Sequence, residues 1–192
     1  MNKMMSIVLV LLMSATLVFA GGQGETEAAD EPMVASMATD VGGLGDRSFN
    51  DGAFAGLEMG ADLGFEAVVV ESNQQTDYIP NLTGLAEDGS EIVFAVGFLM
   101  EQAVKEAAQM NPDTFFGGID IAGDPSIPNF QGILYREEQS GFLAGVVAGH
   151  MTAEFSDASP KLNPDPIVGV VLGMFIPPVE RFEVGFIQGV KY

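Results

Sequence analysis

Thr39-Asp40-Val41-Gly42-Gly43-Leu44-Gly45-Asp46-Arg47-Ser48-Phe49-Asn50-Asp51 joins an apolar run, Met33 to Ala38, to a helical pattern that continues from Phe49 to about Gly64. The run has the length of a buried strand, and Gly42, Gly43 and Gly45 permit a tight strand-to-helix turn. Ser48, followed three residues later by Asp51, predicts a helix start with a capping-box variant. Such a loop aims the free N–H groups of the first helical turn at whatever it binds.

Two ligand classes compete for this turn. Gly43-x-Gly45 is part of a dinucleotide fingerprint, but Ser48 stands where the third glycine belongs, and no Gly-Lys-Ser/Thr of a phosphate loop occurs in the chain. Asp40, Asp46 and Asp51 would face a pyrophosphate with like charge, opposed only by Arg47. A neutral, hydroxyl-rich ligand fits better. Phe49 refines the choice. Phe54, Leu57 and Ala61 mark the core stripe of the helix, and at about 100° per residue Phe49 lies roughly 140° from Phe54. It is placed either to offer its ring to a flat ligand or to pack on a neighbouring element as a staple.

Outward from this turn the chain alternates strand and helix. Strands are expected over Phe65 to Val70, Glu91 to Val96, Thr114 to Ile119 and Asn129 to Arg136. Helices are expected over Asp77 to about Glu87, interrupted early by Pro80, then over Leu99 to Met110 and over Glu137 to about Thr152. This alternation is the signature of a parallel sheet with right-handed crossovers. Gly141, Gly145 and Gly149 recur every four residues, which allows close packing on another helix. A linker, 155–166, precedes a fresh strand over Ile167 to Leu172 and a helix over Val179 to Tyr192. The expected organisation is a first α/β lobe over 33–154 and the beginning of a second over 167–192. Without partners, that last segment would expose Val170, Val171, Phe182 and Phe186.

Ligands of parallel sheets collect outside the carboxyl ends of the strands. Here those ends carry Asp40, Glu71 to Asn73, Gly97-Phe98 and Asp120. Any one strand-end Asp also suits a turn or helix cap. Other chemistries lack their parts. His150 is the only histidine and there is no cysteine, so no metal site of usual imidazole or thiolate spacing can form. No Gly-x-Ser-x-Gly elbow presents a nucleophile to His150. No catalytic residue, metal or cofactor is expected.

Composition sets the compartment and excludes partners. With 27 acidic and 7 basic residues the formal net charge is −20, which disfavours nucleic acid and anionic membranes. Residues 1–20 read as a secretory signal: Lys3 begins it, Ile7 to Leu12 leads its apolar segment, and Val18-Phe19-Ala20 fits a cleavage site. Residues 21–32, rich in Gly, Glu and Ala, read as a flexible leader. An exported protein follows, periplasmic or at the cell surface, without a cysteine for a lipid anchor.

Several motifs together resemble one family. They are Asp40-x-Gly-Gly-x-x-Asp46-x-Ser48-Phe49-Asn50, Gly97-Phe98, and Asn111-Pro112 with Phe116-x-x-Ile119-Asp120. Arg136-Glu137-Glu138-Gln139-Ser140-Gly141-Phe142-Leu143-Ala144-Gly145 follows, then Gly173-Met174 with Glu180-Arg181-Phe182-x-x-Gly185-Phe186-x-x-Gly189. They resemble the basic membrane protein family, the PnrA-like substrate-binding proteins that serve ABC importers of purine nucleosides. The resemblance implies a periplasmic-binding-protein-like α/β fold of two lobes closing on guanosine, inosine or adenosine, monomeric at full length and handing its ligand to a membrane permease. It also implies that Asp40 and Asn50 make polar contacts to the ligand, that Phe49 stacks on the purine, and that Asp120 accepts from the base. Family members are longer and usually carry a lipobox cysteine, where this chain has Ala20-Gly21-Gly22. The second aromatic slab and the Gly, Asp and Lys that hold the sugar would then lie beyond Tyr192, so the chain looks truncated and is expected to bind nucleosides weakly or not at all. Outside this family, a binding protein for a sugar or other polar solute, a dinucleotide enzyme using Gly43, Gly45 and Glu71, and a ligand-sensing regulator stay open.

Overall fold

Five parallel strands form one sheet in the order β2-β1-β3-β4-β5. They are β1 (Val34–Thr39), β2 (Glu66–Val70), β3 (Ile92–Val96), β4 (Phe115–Ile119) and β5 (Phe130–Ile133). The helices are α1 (Phe49–Ala61), α2 (Tyr78–Glu87), α3 (Glu101–Met110), α4 (Glu137–Glu154) and α5 (Pro177–Lys191). The computed structural model describes residues 32–155, 157, 165 and 167–192. The expected signal peptide, nearly all of the leader and most of the linker lie outside the described residues.

Each strand of the sheet is short and pairs in simple register: Ala35 of β1 faces Ala67 on one side and Ile92 on the other, and Phe116 faces Phe130. Strand β1 is buried on both faces, as an interior parallel strand must be. Ala38, Val93, Ala95 and Phe116 point to one face and meet Tyr78, Leu82 and Leu85 of α2 and Val104, Ala107 and Ala108 of α3. Ala35, Met37 and Val96 point to the other and meet Leu57, with Ala53 and Phe54 of α1. Leu82 and Val104 are fully buried, and each stabilises the fold by about 1.5–3 kcal/mol. Because β1 lies between β2 and β3, the winding reverses at β1/β3, and a crevice opens at the carboxyl ends of those strands.

Three local expectations are corrected. Pro80 does not interrupt its helix: α2 begins at Tyr78, so the proline occupies the first turn, where a missing N–H leaves no bond unmade. Ala61 is exposed, and the core stripe of α1 runs through Ala53, Phe54 and Leu57 instead. Ile167 to Leu172 is irregular rather than a strand, and Val171 is 99% exposed. A strand forms only where a neighbour takes its backbone groups, and none pairs with this stretch among the described residues.

Helix α5 packs along α4 through backbone contact. An added Cβ at Gly141 would run into the carbonyl oxygen of Phe182, and one at Gly145 into that of Phe186. The fit is reciprocal, since Gly185 and Gly189 abut the carbonyls of Glu138 and Phe142. The four-residue glycine spacing is thus used for helix packing. It also half-buries Phe186, which was expected to be exposed, whereas Val170 and Phe182 are exposed as expected.

Candidate ligand-binding site

The turn after β1 is held together by carboxylates accepting backbone N–H groups. Asp40 Oδ1 accepts from Gly42 N at 2.9 Å and from Asn50 Nδ2 at 3.1 Å. The Asp46 carboxylate accepts from the amides of Ser48, Asn50 and Asp51 at 2.8, 2.9 and 3.2 Å. Asp51 accepts from Gly45 and Arg47 at 2.7 and 2.8 Å, and Glu71, at the end of β2, from Leu44 at 2.7 Å. The amides of Asn50 and Ser48, chiefly, hold the Asp46 carboxyl down to about 2. Ser48, expected to cap α1, makes no side-chain capping bond, because Asp46 already takes those donors.

This arrangement decides between ligand classes. The amides that would cradle a phosphate are already engaged by acidic side chains, so an anion would meet both occupied donors and like charge. Glu71, needed for a ribose in the dinucleotide reading, is tied to Leu44 instead.

Asp120 follows β4 with φ 64°, a left-handed conformation that non-glycine residues adopt at some cost. Its amide donates to the Ile133 carbonyl at 2.8 Å, which fixes the turn and sends the side chain inward. The side chain is 14% exposed, and its buried Oδ1 has no hydrogen-bond partner. Beside it Arg181 of α5 forks onto Glu137 of α4, with Nε 2.8 Å and Nη2 3.0 Å from the carboxylate oxygens. Arg181 Nη2 stands 3.8 Å from Asp120 Oδ1. Burial, then the neighbouring Glu137 carboxyl, pushes Asp120 up to about 7 against the opposing pull of Arg181. The Arg181 fork, chiefly, holds Glu137 down to about 2.

Phe49 and Asp120 line one pocket of about 410 Å³, together with Gly52, Tyr135, Glu137 and Phe182. Phe49 is 37% exposed, with its ring outside the core clusters. Asn50, 3% exposed, lies one residue away, bonded to Asp40, and its buried Oδ1 has no partner. Gly97 closes the neighbouring strand end: with φ 112° and a would-be Cβ 3.0 Å from Asp40 Oδ2, only glycine fits. The four expected site residues therefore fall into two pairs, Phe49 with Asp120 in the pocket and Asp40 with Asn50 in the wall of the turn.

Sequence reasoning missed Tyr135, Glu137, Arg181 and Phe182 as site residues. Arg181-Phe182 and Arg136-Glu137 both stood inside quoted motifs, but nothing in a spacing of 44 residues announces an ion pair. A larger cavity of about 660 Å³, between α1 and the β3–β4 half of the sheet, is lined by Met37, Leu57, Phe65, Phe94 and Phe115. It reaches along the α1 face of the sheet from the amino ends of the strands, at Met33, Phe65 and Glu91, and has few groups with which to orient a polar ligand. His150 is exposed on α4, 3.2 Å from Glu154. Among the described residues no cluster of acidic and histidine side chains is arranged to hold a metal, and no helix is long and apolar enough to cross a membrane.

Comparison with known proteins supplies the lineage. Residues 33–192 match the family model described as ABC transporter substrate-binding protein PnrA-like. An uncharacterized lipoprotein of Pyrococcus furiosus is 33% identical over 190 residues, covering 98% of this chain and 45% of the relative. The ABC transporter nucleoside-binding protein BmpA of Lactococcus lactis is 28% identical over 202 residues, covering 100% of this chain and 54% of the relative. The crystal structure of an ABC transporter solute-binding protein from Aeropyrum pernix superposes with a TM-score of 0.74 at 29% identity, over 84% of this chain and 43% of that one. The chain thus spans about half the length of the curated relatives it matches. The fold is that of the periplasmic binding proteins, and the matching family, the Lactococcus relative and the Aeropyrum structure are ABC transporter binding proteins, not enzymes. The chain belongs to the PnrA-like family of ABC transporter substrate-binding proteins.

Proposed function

We propose that the chain supplies the first lobe of an exported binding protein that takes purine nucleosides and delivers them to an ABC permease. One observation carries the reading. The Phe49 ring and the partnerless Asp120 oxygen line the same pocket, beside a turn whose amides are already occupied by carboxylates. That combination suits an uncharged flat heterocycle: an aromatic face for area, a carboxyl group for the base edge, and carboxylates that outnumber the one nearby guanidinium and repel a phosphate. Asp40 and Asn50 are read as polar contacts to ligand hydroxyls at the edge of the turn, where the buried Asn50 Oδ1 has no protein partner. The name of the Lactococcus relative supports a nucleoside over a plain sugar. The lipoprotein relatives support export or a cell-surface location.

The test is a titration of the ¹⁵N-labelled chain with inosine, ribose and inorganic phosphate, followed by backbone amide shifts. Inosine is expected to move Phe49, Asn50 and Asp120 together, with affinity weaker than micromolar because the chain is about half the length of its relatives. Ribose is expected to do less, and phosphate nothing at these residues. Phosphate moving them instead of inosine would sink the reading.

A further inference from the structure

Tyr78 brings a second polar group to the carboxyl end of β1. It opens α2, and the Asp77 carboxylate before it accepts from the amides of Asn73 and Gln74 at 3.1 Å each, which fixes where the helix starts. The ring belongs to the core cluster of α2 and α3, and the residue is 2% exposed. Its hydroxyl meets the turn after β1, where Oη accepts from the Val41 amide at 3.3 Å. That bond uses a lone pair, and the phenolic proton reaches no protein acceptor among the described residues. Burial, chiefly, raises the hydroxyl above its ordinary value against the pull of the Val41 amide, and the Asp40 charge adds to the rise, so the proton stays at neutral pH. A buried tyrosine O–H ordinarily finds an acceptor. Asp40 presents the complementary half. Its Oδ1 takes Gly42 N and Asn50 Nδ2, while Oδ2, backed by Gly97, accepts from no protein donor among the described residues.

We infer that Tyr78 is a ligand-binding residue that, together with Asp40 Oδ2, takes one hydroxyl of the sugar. This rests on the nucleoside reading above and assigns the sugar end of the ligand to the junction of β1 and α2. A hydroxyl is the group that suits both partners at once: it accepts from Tyr78 Oη and donates to the Asp40 carboxylate. An ether or carbonyl oxygen satisfies Tyr78 and leaves Asp40 facing a lone pair. A C–H in its place leaves both unpaired, and an unpaired buried polar group is what discriminates strongly between otherwise similar ligands. A free base, lacking the sugar, does not engage the pair at all.

Amide-shift titrations of the full chain and of Y78F with inosine, its free base hypoxanthine, and 2′-, 3′- and 5′-deoxyinosine test the inference. Y78F keeps the ring in the core and removes only the hydroxyl. It is expected to weaken inosine about tenfold while leaving hypoxanthine within about twofold, a split that a merely structural role would not produce. One of the three deoxyinosines is expected to bind the unmodified chain about tenfold more weakly than inosine and to lose nothing further in Y78F. In the unmodified chain the Val41 amide, which Tyr78 holds, is expected to shift with inosine and not with hypoxanthine. Equal affinity for inosine and all three deoxyinosines, or a Y78F variant that binds inosine unchanged or loses inosine and hypoxanthine alike, would overturn the inference while leaving binding in the Phe49 pocket intact. Absence of both inosine and hypoxanthine from that pocket would overturn the function reading, and the inference with it.

Discussion

Gly145→Ala tests whether the backbone contact between α4 and α5 builds the pocket wall. A Cβ at this position would land on the Phe186 carbonyl oxygen and stand 2.9 Å from the amide nitrogen of Val190. Both obstacles are backbone, so no rotamer change relieves them, and the helices must separate by about an ångström to restore ordinary contact distances. Overpacking of this kind costs about 1–3 kcal/mol, and alanine returns up to about 1 kcal/mol by favouring helix in α4. The net weakening of α5 docking is then about 1–2 kcal/mol, or roughly 5- to 30-fold in its opening equilibrium. Amide hydrogen exchange reads this directly. Amides of α5 are expected to lose protection by that factor, while those of Met37 and Val96 in the sheet keep theirs. Gly52→Ala is the control, since an added Cβ there meets nothing within 4 Å. Unchanged or increased α5 protection in G145A would refute the packing argument.

Three further outcomes follow from the turn and the tail. Asp46 is held at about 2 in the fold and would titrate near 4 when unfolded, so its stabilisation is present above about pH 4 and is lost as pH falls toward 2. D46N is expected to be less stable at neutral pH and to show a flatter loss of stability over that window in acid titrations followed by circular dichroism. Asn50→Ala removes a nearly buried donor from between Asp40 and Asp46 and should cost about 1–3 kcal/mol, seen as a lowered urea midpoint with unchanged slope. Val171→Ser, at a fully solvated apolar side chain, is expected to leave the midpoint within about 0.5 kcal/mol and to reduce self-association in sedimentation at high concentration.

Much of the architecture was legible because periodicity and punctuation agreed. The first four apolar runs ended in a polar residue or a glycine, Asp40, Glu71, Gly97 and Asp120, and helical stretches separated them, so alternation alone implied the parallel sheet. That Phe49 lies outside the core was legible because it departed from the stripe of α1. Ile167 to Leu172 misled because a β-branched run states a preference, while a strand also needs a neighbour. Ser48 misled because capping rules count side chains by position, and here a carboxylate two residues earlier, folded back by Arg47 at φ 54°, reaches the same amides first. The Arg181–Glu137–Asp120 cluster was out of reach, since it depends on α5 lying against α4 closely enough to bring a guanidinium to the end of β4.

The central claim is that the strand-end pocket grips an uncharged purine ring. A crystal structure of the chain soaked in millimolar inosine tests it most directly. The purine is expected to stack on Phe49, with its N1 edge on Asp120 and its ribose turned toward Asp40 and Asn50. A phosphate ion in that turn, or inosine seated in the apolar cavity beside Phe94 and Phe115, would contradict it.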